Sequence, residues 1–159
     1  MGASVRGGAA FKARLEQIAD GLSSGKSLKV GFLADATYED GTPVALVAAA
    51  NEFGKMVMTK AGESYFQLPR PFFRNMISAN SAQWPGEFSL LIRSSNYDAR
   101  LALGLMGERI KSQLQDSIRE LNSPPLAEST IKRKGFDKPL VDTGHMQNSV
   151  DYAVDGGDE

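Results

Sequence analysis

The sequence contains no cysteine and a single histidine. Without cysteine the chain has no disulfide and no thiolate nucleophile, and one histidine cannot build a multi-histidine metal site within one chain. The net charge is −1, so the field of the whole protein does not draw it onto nucleic acid or an anionic membrane. No apolar run approaches the roughly 20 residues that a membrane helix needs. We therefore expect a soluble cytoplasmic protein without metal or cofactor.

The chain has 159 residues, which is enough for one domain with a core of its own. Residues 1–10 are mostly Gly, Ala and Ser and have little to bury, which predicts a flexible N-terminal arm. Residues 155–159 are acidic and Gly-rich, which predicts a flexible tail. The sequence between these two ends, residues 11–154, is expected to form the single domain.

Apolar residues recur at helical spacing in two long stretches. The first runs from Phe11 to Leu22 and is ended by Gly21 and Ser23-Ser24-Gly25, and the second, from Tyr97 to Leu121, predicts the main core helix. Gly104 within the second stretch, with Gly107, indicates a close helix crossing. A further helix is predicted to have Thr42 as its cap and Pro43 as its first residue, and another to run from Pro71 until Pro85 breaks it. Short helical segments are also predicted at Phe88–Ile92, at Leu126–Lys134 and around Met146.

Four short runs are rich in β-forming residues. The second and third flank a K-A-G-E loop and predict a hairpin, which would be either a sheet edge or a contact element. The fold class is therefore predicted as α+β, with a small mixed or antiparallel sheet of about four strands packed against a long central helix. The runs are Leu28–Leu33, Lys55–Thr59, Ser64–Leu68 and Val150–Val154.

No set of catalytic residues stands out. Glu52 has the chemistry of a general base, but its place beside Asn51 is typical of a hydrogen-bonded pair at a helix end. His145 has triad-type neighbours in Asp142 and Ser149, yet triads are assembled from distant parts of a chain. We predict a structural role for Glu52 and a surface or structural position for His145.

The chain also contains a basic cluster, for which two interpretations stay open, and an acidic loop. The cluster is either a solvated surface or a patch that faces phosphate or a partner protein. It consists of Lys132, Arg133 and Lys134. The loop that holds Asp35, Glu39 and Asp40 lacks the ligand spacing of a calcium loop.

The order and spacing of these pieces resemble the tailed-bacteriophage neck and tail-completion proteins, also called virion morphogenesis or minor tail proteins. The resemblance spans about residues 28–154 and rests on several short segments together rather than on one motif. These segments are Val30–Phe32, Asp40–Ala45, Ala49–Gly54, Pro69–Arg74, Pro125–Gly135 and Pro139–Val150.

The resemblance implies a small α+β subunit without enzymatic activity. Copies of it would form a ring at the head–tail junction or the top of the tail. A hexamer is the expected ring, and a dodecamer is the alternative. Its partners would be adjacent neck, connector or tail proteins and the genomic DNA in the channel, with the subunit assembled in the host cytoplasm and found in the virion.

On this reading the subunit contacts are shaped or supported by the Pro69–Pro71 step and by residues Asn51–Gly54. The basic cluster would face DNA or an acidic neighbour. Two alternatives stay open: a DNA-binding or nuclease-like protein that uses the basic cluster and the acidic loop, and a small hydrolase that uses Glu52 or His145. The implied contact residues are Asn51, Glu52, Phe53, Gly54, Met56, Tyr65, Pro69, Arg70, Pro71 and Phe72.

Overall fold

The computed structural model describes residues 7–126, 128–135, 137–140 and 143–156, with the backbone alone for Ser129. Helices and short strands alternate along this part of the chain, which confirms the predicted α+β class. The elements are α1 (Gly8–Ser23), β1 (Gly25–Phe32), α2 (Val44–Phe53), β2 (Lys55–Met58), β3 (Ser64–Gln67), α3 (Phe72–Asn80), α4 (Trp84–Ser94), α5 (Ala99–Glu120), α6 (Glu128–Lys134), α7 (His145–Asn148) and β4 (Val150–Gly156).

The four described strands form two antiparallel pairs and not one sheet. β1 pairs with β4, the last strand, so that Phe32 lies opposite Val150. β2 and β3 pair only with each other, from Lys55 opposite Gln67 to Met58 opposite Ser64. The predicted sheet of about four strands is thus divided, because the hairpin completes its ladder locally and does not extend the sheet that joins the two ends of the domain.

The long helix α5 is the centre of the packing, as predicted. The Asp98 carboxylate accepts a hydrogen bond from the Leu101 N–H at 2.9 Å and caps the helix, and this bond is the main cause that lowers the pKa of Asp98. α5 contacts both strands of the first sheet, β1 and β4, and also α1, α3 and α4. The largest fully buried side chains of the core are Phe72, Leu114, Ile118, Val44 and Val150.

Several predicted helix starts were wrong by a short distance. Pro43 and Pro71 are the N-cap residues of α2 and α3, because their ψ angles of 131° and 61° are not helical, so Thr42 is not the cap. Pro85 is the second residue of the 11-residue helix α4, in the first turn, where proline loses no helical hydrogen bond, so it does not break a helix there.

The two chain ends also differ from the predicted boundaries. α1 begins at Gly8, inside the predicted arm, and β4 continues to Gly156, inside the predicted tail. The rest of both predicted segments, residues 1–6 and 157–159, lies outside the described residues. The β1–β4 pairing explains the longer strand, since Gly156 lies opposite Gly25 at the start of β1.

The two glycines of α5 differ in how closely β4 approaches them. A Cβ atom on Gly107 would lie 2.4 Å from Cδ2 of Tyr152, whereas a Cβ on Gly104 would meet nothing nearer than the Tyr152 hydroxyl at 4.0 Å. The close approach indicated by the sequence is therefore made at Gly107 alone, and its partner is a strand rather than a helix.

Gly107→Ala is expected to lower the free energy of unfolding by about 1 to 3 kcal/mol, because the new methyl group overpacks the Tyr152 ring. Gly104→Ala is the matched control, and it should raise the same quantity by up to about 1 kcal/mol through helix propensity. Urea denaturation of both variants measures the difference. Equal effects of the two substitutions would contradict the close contact with Tyr152.

Candidate functional site

The end of α2 is held against the start of α3 by one buried carboxylate. Glu52 is 5 % exposed, and its oxygens accept hydrogen bonds from the backbone N–H groups of Phe73 at 2.9 Å and Arg74 at 3.3 Å. The Arg74 Nε donates to the same carboxylate at 2.6 Å, and an Arg74 Nη donates to the Glu52 carbonyl at 3.0 Å. Glu52 thereby satisfies the second and third N–H groups of α3 and places a negative charge at its N-terminus, where the helix dipole favours it.

The remaining residues of this turn attach the hairpin to α2. The Asn51 amide donates to the Val47 carbonyl at 2.9 Å and accepts from the Gln67 side chain at 3.3 Å. Gly54 follows with φ 80° and ψ 167°, and a Cβ there would lie 2.6 Å from the Gln67 carbonyl oxygen. Only glycine lets the hairpin start so close to the helix end. We call Asn51–Gly54 the corner.

The Pro69-Arg70-Pro71 step runs directly beside this corner. The Arg70 N–H donates to the Asn51 carbonyl at 2.7 Å, and the Arg70 carbonyl accepts from the Phe72 N–H at 2.8 Å. Both backbone groups of Arg70 are thus occupied, and proline restricts the backbone on either side. The Arg70 side chain therefore projects from a fixed point of the backbone.

Arg70 lines a groove between the hairpin and α6, and this groove encloses about 580 Å³. Three further cations line the same groove: Lys55 from β2, and Arg133 and Lys134 from α6. Lys134 also donates to the Lys138 carbonyl at 2.8 Å. We call this site the basic groove. It brings the predicted contact stretch and two residues of the predicted basic cluster together, whereas Lys132 does not line it.

The hairpin presents different residues on its two faces because side chains alternate along a strand. Lys55, Tyr65 and Gln67 share the face that lines the basic groove. Met56 and Met58 lie on the opposite face and are 63 % and 76 % exposed. Phe66, which is half-exposed, lies across from Met56 and also borders the groove. Exposed thioether and aromatic side chains on a short hairpin are typical of a contact surface.

A second apolar surface lies where α2, α3 and β1 meet. The cleft encloses about 270 Å³ and is lined by Phe32, Phe53, Phe73 and three alanines of α2 beside the Glu52–Arg74 pair. Phe53 is 64 % exposed, and the Arg74 guanidinium lies 5.3 Å from the centre of its ring. The alanine face of α2 thus borders an open cleft and is not wholly buried.

The two candidate catalytic residues make structural contacts. Glu52 is occupied by the hydrogen bonds described above. The His145 Nε2 lies 2.9 Å from the Thr37 carbonyl and its ring packs on Tyr38, while the Ser149 hydroxyl donates to the His145 backbone carbonyl and not to the imidazole. Asp142 lies outside the described residues. Within the described part of the chain no group of three His, Asp or Glu side chains could hold a metal ion.

The predicted contact residues have two different positions. Phe53, Met56 and Tyr65 are exposed and can touch a neighbour directly, whereas Phe72, which is 1 % exposed, and Glu52 can only support such contacts from inside. Asn51, Gly54 and the Pro69–Pro71 step, all partly exposed, hold the hairpin in place.

Three residues that matter here were not predicted from the sequence. Arg74 was not paired with Glu52, and Lys55 and Met58 were not placed at a contact surface. The i, i+2 spacing of Met56 and Met58 was a usable signal for one hairpin face, since alternate residues of a strand share a face. The position of Lys55 depends on how the hairpin packs and has no signal of its own.

Comparison with protein-family models, with curated proteins and with solved structures finds no match to this chain. Among the helices of the described residues, none is both long and apolar enough to cross a membrane.

Proposed function

We propose that this protein is a structural subunit of a tailed-phage virion that forms a ring at the head–tail junction or the top of the tail and completes tail assembly or head–tail joining. The observation that carries the proposal is the exposed apolar face of the hairpin, Met56 and Met58 with Phe66, on a rigidly held corner. The resemblance of the sequence to neck and tail-completion proteins supports the same conclusion.

The position of the apolar surfaces favours an assembly that joins unlike faces. The hairpin face and the cleft between α2, α3 and β1 are separate surfaces of one chain, and both expose apolar side chains. When one surface of a subunit meets a different surface of the next, the assembly closes into a ring if the rotation permits. We expect a hexamer, or else a dodecamer, stacked on neighbouring neck or tail proteins around the DNA channel.

Met56→Ser combined with Met58→Ser is expected to abolish ring formation by the purified protein. Each methionine side chain buried at a contact contributes about 1.5 kcal/mol or more, so every contact of the ring would lose about 3 kcal/mol. Light scattering after size exclusion measures the mass, and negative-stain images show the ring. Leu90→Ser, at an apolar residue of α4 that is 68 % exposed, is the matched control and should assemble normally.

The proposal fails if the unaltered protein remains a monomer at high concentration and if a phage lacking it still joins heads to tails. Rings that persist in the methionine variant would instead show that the hairpin is not the contact, while leaving the assembly itself intact.

A second candidate function, a DNA-binding or nuclease-like protein, is favoured by one observation. Four cationic side chains, two of them from the basic cluster, line a single groove. A DNA-binding groove predicts affinity that falls steeply with salt, with a slope set by the number of phosphate contacts. A filter-binding titration at several salt concentrations tests this, and salt-independent or undetectable binding would exclude it. The same alternative also involves the acidic loop. There the Asp40 carboxylate accepts a hydrogen bond from the Thr42 N–H at 2.9 Å, and this bond closes the turn.

A further inference from the structure

The five methionines in the described part of the chain divide into two groups by exposure. Met76, Met106 and Met146 belong to the core and are 3 %, 4 % and 5 % exposed. Met56 and Met58 of the hairpin are 63 % and 76 % exposed. Since alternate residues of a strand share a face, the exposed pair presents two polarizable thioether sulfurs side by side on β2.

The strand pairing places different neighbours beside the two exposed methionines. Met56 lies opposite Phe66, which is 52 % exposed, and Met58 lies opposite Ser64. Side chains directly opposite each other on an antiparallel pair are in contact distance on the same face. The phenylalanine ring therefore covers part of Met56, whereas the small serine leaves Met58 open, in agreement with the higher exposure of Met58.

We propose that Met56 and Met58 form a reversible oxidation site, at which hydrogen peroxide converts the free subunit into a form that does not assemble. The effect on assembly rests on the proposed function, whereas the oxidation itself does not. The sulfur lone pair attacks one peroxide oxygen, so that an S–O bond forms and the O–O bond breaks. The sulfur is oxidised by two electrons to the sulfoxide, and the proton on the transferred oxygen moves to the leaving hydroxide, which becomes water.

A sulfoxide on the hairpin changes the contact surface and leaves the fold of the subunit intact. The reaction turns an apolar side chain into a polar one whose oxygen accepts hydrogen bonds. On a free subunit water hydrates that oxygen, because both side chains are exposed. In an apolar contact between subunits the oxygen would be buried without a donor, which is unfavourable. An assembled ring should in turn protect both sulfurs, since a contact that buries them excludes the peroxide.

The test treats the full chain with hydrogen peroxide while it is dilute and unassembled, and mass spectrometry of tryptic peptides locates the added oxygen. Trypsin releases both exposed methionines in one peptide, residues 56–60, and places each of the three buried ones in a separate peptide. The 56–60 peptide should be oxidised about tenfold faster or more, with Met58 ahead of Met56, because the close-packed core excludes the peroxide.

The oxidised protein should keep its thermal midpoint but remain a monomer when it is concentrated, as measured by light scattering after size exclusion. Treatment with the two methionine sulfoxide reductases, one for each sulfoxide epimer, should restore the rings. Met56→Leu combined with Met58→Leu is the matched control, since leucine keeps the face apolar and has no sulfur to oxidise. This variant should assemble both before and after peroxide treatment.

Three outcomes would overturn the proposal. A buried methionine is oxidised as fast as the hairpin pair; the oxidised protein assembles as well as the untreated protein; or peroxide blocks assembly of the leucine variant to the same extent.

A failure of the proposed ring is recognised separately. If the untreated protein forms no ring at any concentration, the proposed function fails, and hydrophobic-interaction chromatography of the monomer then decides on the oxidation site. Peroxide should shorten the retention of the unaltered chain, because the hairpin face becomes polar, and should not change that of the leucine variant. Unchanged retention of the unaltered chain would overturn the oxidation site as well.

Discussion

Glu52→Ala is expected to lower the free energy of unfolding by about 3 kcal/mol, among the largest losses that a single substitution away from the central core should cause. The buried carboxylate caps α3 through the N–H groups of Phe73 and Arg74, and both donors lose their acceptor in the variant. The Arg74 side chain is 57 % exposed and can be hydrated by water, so the ion pair itself contributes the smaller part. Thermal denaturation should show a midpoint roughly 10 °C lower.

Glu120→Ala is the matched control for this prediction. Glu120, like Glu52, lies in the last turn of a helix, but it is exposed and its replacement should change stability little. Glu52→Gln preserves the shape, removes the charge and turns an N–H₂ group toward a donor, so we expect an intermediate loss. If Glu52→Ala is no more destabilising than Glu120→Ala, the corner is not held by this carboxylate.

The expected loss also bears on function. The corner carries the hairpin, and the hairpin carries both the exposed methionines and one wall of the basic groove. A loosened corner should therefore reduce stability and ring formation together, whereas Met56→Ser with Met58→Ser should affect the ring alone. This difference separates a residue that supports the surfaces from residues that form them.

Local patterns in the sequence predicted the elements that local forces create. The spacing of apolar residues was sufficient to place α5, and the β-rich runs on either side of a Gly-containing loop were sufficient for the hairpin. The strands of the first sheet were also predicted one by one. Which strand pairs with which was not, because β1 and β4 are joined through packing on α5 and are far apart in the chain.

The corner could be predicted in part. Sequence reasoning singled out Glu52 and the Pro69–Arg74 segment and expected a hydrogen-bonded helix end. It could not pair Glu52 with Arg74, which is 22 residues away, because that contact depends on the angle between α2 and α3. The basic groove could not be predicted from the sequence. Arg70 and the α6 cations meet only through the tertiary fold, and the sequence presented them as two unrelated features.

Gly54→Ala is expected to cost about 3 kcal/mol or more, from two causes that act at one atom. A left-handed φ of 80° with an extended ψ of 167° is a backbone region essentially restricted to glycine, and the strain of another residue there is about 1 to 3 kcal/mol. The added Cβ would also lie 2.6 Å from the Gln67 carbonyl oxygen and 2.7 Å from the Phe66 ring. The carbonyl belongs to the backbone of β3 and cannot move without the hairpin.

Gly62→Ala tests a left-handed φ without a steric contact. Gly62 is in the hairpin loop with φ +84°, close to that of Gly54, but a Cβ there meets nothing within 4 Å. It should therefore cost only about 1 kcal/mol, the strain alone. Urea denaturation gives both values, and amide hydrogen exchange in Lys55–Met58 should increase in the Gly54 variant only. Equal effects of both substitutions would mean that the hairpin is not seated against α2.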